Sequence, residues 1–237
     1  MIGFYDYTVI LTYLGFMSGV LGILCAIKDP KHLMPAIICL MFSGLCDMFD
    51  GKVARTKKRR TEEEKHFGIQ LDSLSDLICF GVLPATIGYQ LGMNEWYLMP
   101  IVIFFPLAAL IRLAYFNVLE IVRNSSTPVK EYIGLPVTSA ALIYPFLYIF
   151  KKLLNDNFVY LYAGVMLLVG ILFISRIKVK KPQIKTMILF IILGVIEILL
   201  IITVRKFLWY IVLDKEIVKK ILLQSLIRLL IFFMVIF

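Results

Sequence analysis

Long apolar blocks alternate with short charged stretches along this chain. The blocks fall near 8–27, 34–55, 68–92, 96–121, 134–150, 158–176, 184–204 and 217–237. Most approach the ~20 apolar residues that a helix needs to cross a hydrocarbon core of ~30 Å. A bilayer admits only helices or closed barrels as spanning backbone, and barrel strands would be about half as long and would alternate. The pattern therefore predicts an all-α, polytopic transmembrane bundle. Six helices make a core over 1–182, and one or two more form a C-terminal extension over 183–237. The last block carries Lys219, Lys220 and Arg228 and reads either as a span or as an interfacial helix.

Composition agrees with this picture. Of 237 residues, 61% are hydrophobic, above the share usual for a soluble domain. The net charge of +9 would suggest nucleic acid in a soluble protein. Here the cations sit between apolar blocks, so they report orientation and contact with anionic headgroups. With the N-terminus inside, the inner loops up to Lys185 hold fourteen Lys and Arg against four in the outer loops of the first six spans. The 56–67 loop is then cytoplasmic, and the bias fails only after residue 205, where Arg205, Lys206, Lys215, Lys219 and Lys220 follow. The first seven residues carry Asp6 where a signal peptide would be positive. Cys25, Cys39, Cys46 and Cys79 lie in apolar segments with no CxxC spacing, which predicts buried thiols rather than disulfides or zinc ligands. Gly15-x3-Gly19 and Gly88-x3-Gly92 have the spacing of close helix contacts.

The chemistry lies at the ends of the second and third blocks. Asp47 and Asp50 are three apart and share a helix face; Asp72 and Asp76 are four apart and do the same. A charge at membrane depth costs ~2.5–3.5 kcal/mol or more, so such groups face a cavity and mark function. Converging carboxylates repel one another unless cations lie between them. Oxygen-only ligation selects Mg or Mn, with Ca also admissible. Gly51, Ala54 and Gly68 leave room for a ligand to approach the backbone, and Arg55 is placed to meet a phosphate. His66 and the run Thr61–Lys65 read as solvated loop or short helix with no catalytic part.

These residues match the pattern Asp-x2-Asp-Gly-x2-Ala-Arg followed by Gly-x3-Asp-x3-Asp at every fixed position. The pattern resembles the signature of the CDP-alcohol phosphatidyltransferase family. One departure is the twelve residues of 56–67, where that family commonly has eight. The stretches 71–85, Arg112–Asn117 and Gly134–Thr138 resemble its phosphatidylserine synthase branch. The resemblance covers roughly residues 8–182.

The resemblance implies six helices around a polar cavity open to the cytosol, in a homodimer at the cytoplasmic membrane. It implies transfer of a phosphatidyl group from CDP-diacylglycerol, or a related CDP-lipid, to L-serine with release of CMP. Asp47, Asp50 and Asp72 would be metal ligands, and Asp76 either a further ligand or the general base. Gly51, Ala54, Arg55 and Gly68 would shape the nucleotide site. Arg112 and Asn117 are candidates to hold the acceptor or a lipid phosphate, set against snorkelling or a structural hydrogen bond. Two alternatives stand beside this reading. One is the same chemistry with glycerol 3-phosphate or an inositol phosphate as acceptor. The other is cation transport, which the absence of an internal repeat disfavours.

Overall fold

The computed structural model describes residues 3–122 and 131–180. A 3-10 turn at Tyr7–Val9 leads into α1 (Ile10–Lys28), and α2 (Met34–Ala54) returns alongside it. Next comes one continuous span made of α3 (Glu62–Asp76), a π-helical segment (Leu77–Val82) and α4 (Leu83–Gln90). It is followed by α5 (Met99–Val122), strand β1 (Glu131–Ile133), α6 (Ala140–Ile149), the short α7 (Lys151–Leu154), α8 (Phe158–Ile174) and strand β2 (Lys178–Lys180). Four helical stretches, Tyr7–Lys28, Met34–Ala54, Glu62–Gln90 and Met99–Leu119, are long and apolar enough to cross a membrane. Val137–Ile149 and Phe158–Ile174 are shorter apolar helices. Helices stand at all six predicted core positions, four of them long enough to span. The predicted spans at 184–204 and 217–237 lie outside the described residues.

Exposure follows the bilayer. Leu14, Met17, Leu21 and Leu24 on α1, and Ile103, Leu107 and Ile111 on α5, are exposed along helix faces that lipid would cover. The core between α5, α6 and α8 is aromatic. Phe105 meets Tyr144 at 5.6 Å between centroids and Phe173 at 5.3 Å, and Tyr144 meets Tyr162 at 5.0 Å. Tyr162 donates its hydroxyl hydrogen to the Pro84 carbonyl at 2.9 Å, fixing α8 to α4.

Small residues set the close packing of α1. A methyl group on Gly19 would stand 2.5 Å from Cys79 Sγ, and one on Gly15 would stand 3.2 Å from Cys46 Cβ. The predicted contact at this pair is therefore real. The second glycine pair differs from expectation. Gly88 packs against Tyr162 and Met166 of α8, but Gly92 adopts φ +117° beyond the end of α4. It terminates the helix rather than packing against another, using a conformation that side chains resist.

Two further differences concern the third span and the 134–138 segment. The third span starts at Glu62, not 68. Thr61 Oγ1 accepts from Glu64 N–H at 3.2 Å, and Glu64 Oε2 accepts from Thr61 N–H at 3.1 Å. This capping box converts half of the expected loop into helix. The π segment precedes Pro84, whose ring has no N–H to give and would collide with the carbonyl four residues earlier; the wider turn absorbs that mismatch. Gly134 sits at φ +76°, where a Cβ would lie 2.7 Å from the Phe173 carbonyl oxygen. Gly134 N–H donates to Ile177 O at 2.7 Å and Leu135 N–H to Leu172 O at 3.1 Å, so this segment locks the start of α6 to the end of α8. Strands β1 and β2 pair antiparallel beside this junction.

Candidate metal centre

The last two turns of α2 carry Asp47, Asp50, Gly51 and Ala54 at helical spacing, and Arg55 caps the helix. On α3, Gly68, Asp72 and Asp76 recur every four residues along one face. The short connection between the two helices brings these faces together. One carboxylate oxygen from each of Asp47, Asp50 and Asp72 lies within 4.8 Å of the other two. Asp50 faces Asp72, and Asp47 faces Asp76. Asp50 and Asp76 are both 8% exposed.

The donor set fits a hard cation. Ligand oxygens around Mg at ~2.1 Å stand ~3 Å apart when adjacent and ~4.2 Å apart when opposite. Three aspartate oxygens confined to 4.8 Å reach that arrangement with small side-chain rotations. The basic linker does not answer the charge of these aspartates with its lysines. Lys57 Nζ bonds Asp6 at 2.6 Å and Glu64 at 3.0 Å, and Lys65 bonds Glu62 at 2.6 Å. The Lys57 ammonium, with help from Thr8, holds the Asp6 carboxyl down at about 2.

One residue at the centre escaped the sequence reading. Thr12 of α1 donates to Asp50 Oδ2 at 2.9 Å across 38 residues of sequence. It fixes the carboxylate's rotamer and leaves Oδ1 for another partner. Below it, Ser43 Oγ contacts the Gly15 carbonyl at 2.9 Å, holding α1 against α2. Hydrogen bonds to ionised groups contribute about 1.5–3 kcal/mol, and loss of such an outer partner weakens metal sites about 10–100-fold. Thr12→Val is therefore expected to raise the Mg concentration giving half-maximal activity by about tenfold or more. Its turnover at saturating Mg should stay near normal. An unchanged Mg requirement would show that Thr12 only fills space.

The other predicted residues divide. Gly51 is exposed, and the nearest atom to a Cβ placed there is Arg55 Nη2 at 4.0 Å, so a ligand has open access to this backbone. Gly68 is different: a Cβ would stand 2.9 Å from Arg60 Nη2, so this glycine seats the Arg60 guanidinium. Asn117 of α5 accepts from Ser73 Oγ at 2.8 Å, and its Nδ2 donates to Gln70 Oε1 at 3.4 Å. It thus adjoins the aspartate-bearing face of α3. Arg112 is buried in α5 with its guanidinium 4.6 Å from the Phe116 ring centroid. His66 is exposed on the first turns of α3. All four cysteines are free thiols.

A family model for CDP-alcohol phosphatidyltransferases matches residues 8–174, which contain both aspartate pairs, the four spanning stretches almost entirely and the two shorter apolar helices. The chain belongs to the CDP-alcohol phosphatidyltransferase family. It is an integral membrane protein of that family, with the acidic centre where its second and third spans meet. It is 36% identical over 159 residues to the CDP-diacylglycerol–serine O-phosphatidyltransferase of Saccharomyces cerevisiae, covering 64% of this chain and 56% of that protein. It is 34% identical over 172 residues to the protein of the same name from Methanocaldococcus jannaschii, covering 72% of each. The archaetidylserine synthase of Methanothermobacter thermautotrophicus is 33% identical over 178 residues, covering 73% of this chain and 68% of that one. The chain thus spans little more than half the length of the yeast relative.

Proposed function

We propose that this protein transfers the phosphatidyl group of CDP-diacylglycerol, or of a related CDP-lipid, to the hydroxyl of L-serine and releases CMP. The observation that carries this reading is the convergence of Asp47, Asp50 and Asp72 within the family-matched region. Relatives named CDP-diacylglycerol–serine O-phosphatidyltransferase and archaetidylserine synthase share serine in their names, which supports serine as the constant element and leaves the lipid chains open.

In this reading Asp47, Asp50 and Asp72 hold Mg or Mn, and Asp76 is either a ligand or the base. A bound divalent ion would neutralise charge on the pyrophosphate as CMP leaves. The remaining work belongs to the chain. Gly51 and Ala54 give the nucleotide access to the α2 backbone, Gly68 keeps the Arg60 side chain in place, and Arg55 meets a phosphate from the end of α2. As the base, Asp76 Oδ takes the proton of the serine hydroxyl while the serine oxygen bonds to the lipid-bearing phosphorus and the bond to CMP breaks. Arg112 and Asn117 bind the acceptor, with Asn117 oriented by Ser73. The excess of Lys and Arg in the inner loops supports a centre at the cytosolic face of the cell membrane, where acyl chains stay in the bilayer while CDP and serine come from water. The active unit is a homodimer, its core is 1–182, and 183–237 is a C-terminal membrane extension.

Purified protein given CDP-diacylglycerol and Mg should incorporate labelled serine into lipid and release CMP. Glycerol 3-phosphate and inositol phosphate should not be incorporated. Use of either instead of serine would keep the chemistry and overturn the acceptor. Release of no CMP with any acceptor would overturn the enzymatic reading, and metal-dependent ion flux would then be measured.

A further inference from the structure

A second charged feature adjoins the aspartate centre; it borders the proposed nucleotide site through Ala54 and Arg55, while its Lys58 and Arg59 take no part in the reaction just described. The linker from α2 to α3 folds around a cleft of about 620 Å³, lined by Ala54, Thr61 and the cations Arg55, Lys57, Lys58, Arg59, Arg60 and Lys65. That volume lies within the range of small-ligand sites, roughly 300–1,000 Å³. Two of the six cations are already matched: Lys57 by Asp6 and Glu64, and Lys65 by Glu62. Among the described residues, Arg55, Lys58, Arg59 and Arg60 have no acidic side chain within 4.0 Å. Arg60 is half-buried over Gly68, with Nη2 on the Glu64 carbonyl at 3.2 Å. Its buried Nε–H has no acceptor among the described residues. A buried donor of this kind is costly unless something accepts from it, and a guanidinium fork matches a phosphate.

We infer that this cleft is an anion site for the phosphate headgroup of an anionic membrane lipid, separate from the aspartate centre. The chemistry that recognises the ligand is a phosphate ester facing Lys58, Arg59 and Arg60. Depth selects a lipid as its source. The cleft is built from the last turn of one spanning helix and the first turn of the next, so it stands at the level of headgroups. A lipid can fill it without leaving the bilayer. Arg55 lines the cleft and its Nη2 would stand 4.0 Å from a Cβ on Gly51, so an occupant would border the donor nucleotide proposed above, and no aspartate among the described residues lines the cleft.

The test measures binding, not turnover, so its failure is distinct from failure of the proposed reaction. Full-length protein in detergent with Mg is titrated with dihexanoyl phosphatidate, dihexanoyl phosphatidylcholine and inorganic phosphate, with heat of binding as the readout. Phosphatidate is expected to bind, to survive chelation of the metal, and to weaken at least tenfold in Lys58→Gln/Arg59→Gln. The same charge loss in Lys151→Gln/Lys152→Gln, in the short helix α7, should leave binding unchanged. Lys58 and Arg59 are exposed, so their replacement does not threaten the fold. Binding that is indifferent to the Lys58/Arg59 change, or that disappears on chelation, overturns the site. Inorganic phosphate binding as tightly as phosphatidate overturns the lipid as its occupant.

Discussion

Asp72→Asn is expected to reduce CMP release by about 10³-fold, equivalent to roughly 4 kcal/mol of barrier. The substitution keeps size and one oxygen acceptor but removes a charge from a group of three carboxylates confined to 4.8 Å. Loss of activity alone would not distinguish a ligand from a structural residue, and thermal melting supplies the distinction. A ligand that binds the folded state alone stabilises it by about 2.7 kcal/mol at a hundredfold excess over Kd. The wild-type melting temperature should therefore rise with added Mg, and that of Asp72→Asn should not. Without metal the order reverses, because removing one of several like charges relieves repulsion, and the variant should melt at or above the wild-type temperature. A variant that melts lower without metal and still responds to Mg would assign Asp72 to the fold and not to the metal.

Asp76→Asn should separate the two steps. Asp76 sits on the same helix face one turn beyond Asp72, buried and opposed to Asp47, but it is not among the three aspartates that converge. As the base it would contribute about 10²–10⁴-fold to the rate. The expected variant keeps the Mg-dependent rise in melting temperature, and keeps binding of the CDP-lipid, while serine transfer falls by that factor. If the Mg response disappears as well, Asp76 is a metal ligand and the proton goes elsewhere.

The spans and the aspartate faces were legible because each depends on local periodicity. A run of twenty apolar residues needs no tertiary information to be read as a span, and i,i+3 or i,i+4 spacing places two carboxylates together whatever the rest of the chain does. What escaped the sequence depends on register between helices. Thr12 is an ordinary polar residue in an apolar block until α1 packs against α2 and points its hydroxyl at Asp50. The role of Gly68 was read as access for a nucleotide, whereas Arg60 occupies the space above it. Gly92 has the right spacing from Gly88 for a helix interface, but α4 ends before it. The earlier start of α3 is a different kind of miss. Thr61-x-x-Glu64 is a capping box visible in the letters, and the density of charge around it disguised the helix.

The three helices that supply Thr12, Asp50 and Asp72 are the first three spans of the chain, and this has a consequence for biosynthesis. At ~5–20 residues per second, the ribosome completes everything from Thr12 to Asp76 within seconds. Every side chain of the acidic centre has therefore been translated before Asn117 exists. The three aspartates that converge can therefore come together while the rest of the bundle is still entering the bilayer. The proposed acceptor side, which waits for α5, would then be added to aspartates already in place. A truncated product ending after α4 would then be expected to carry the aspartates in their native arrangement without being able to use them.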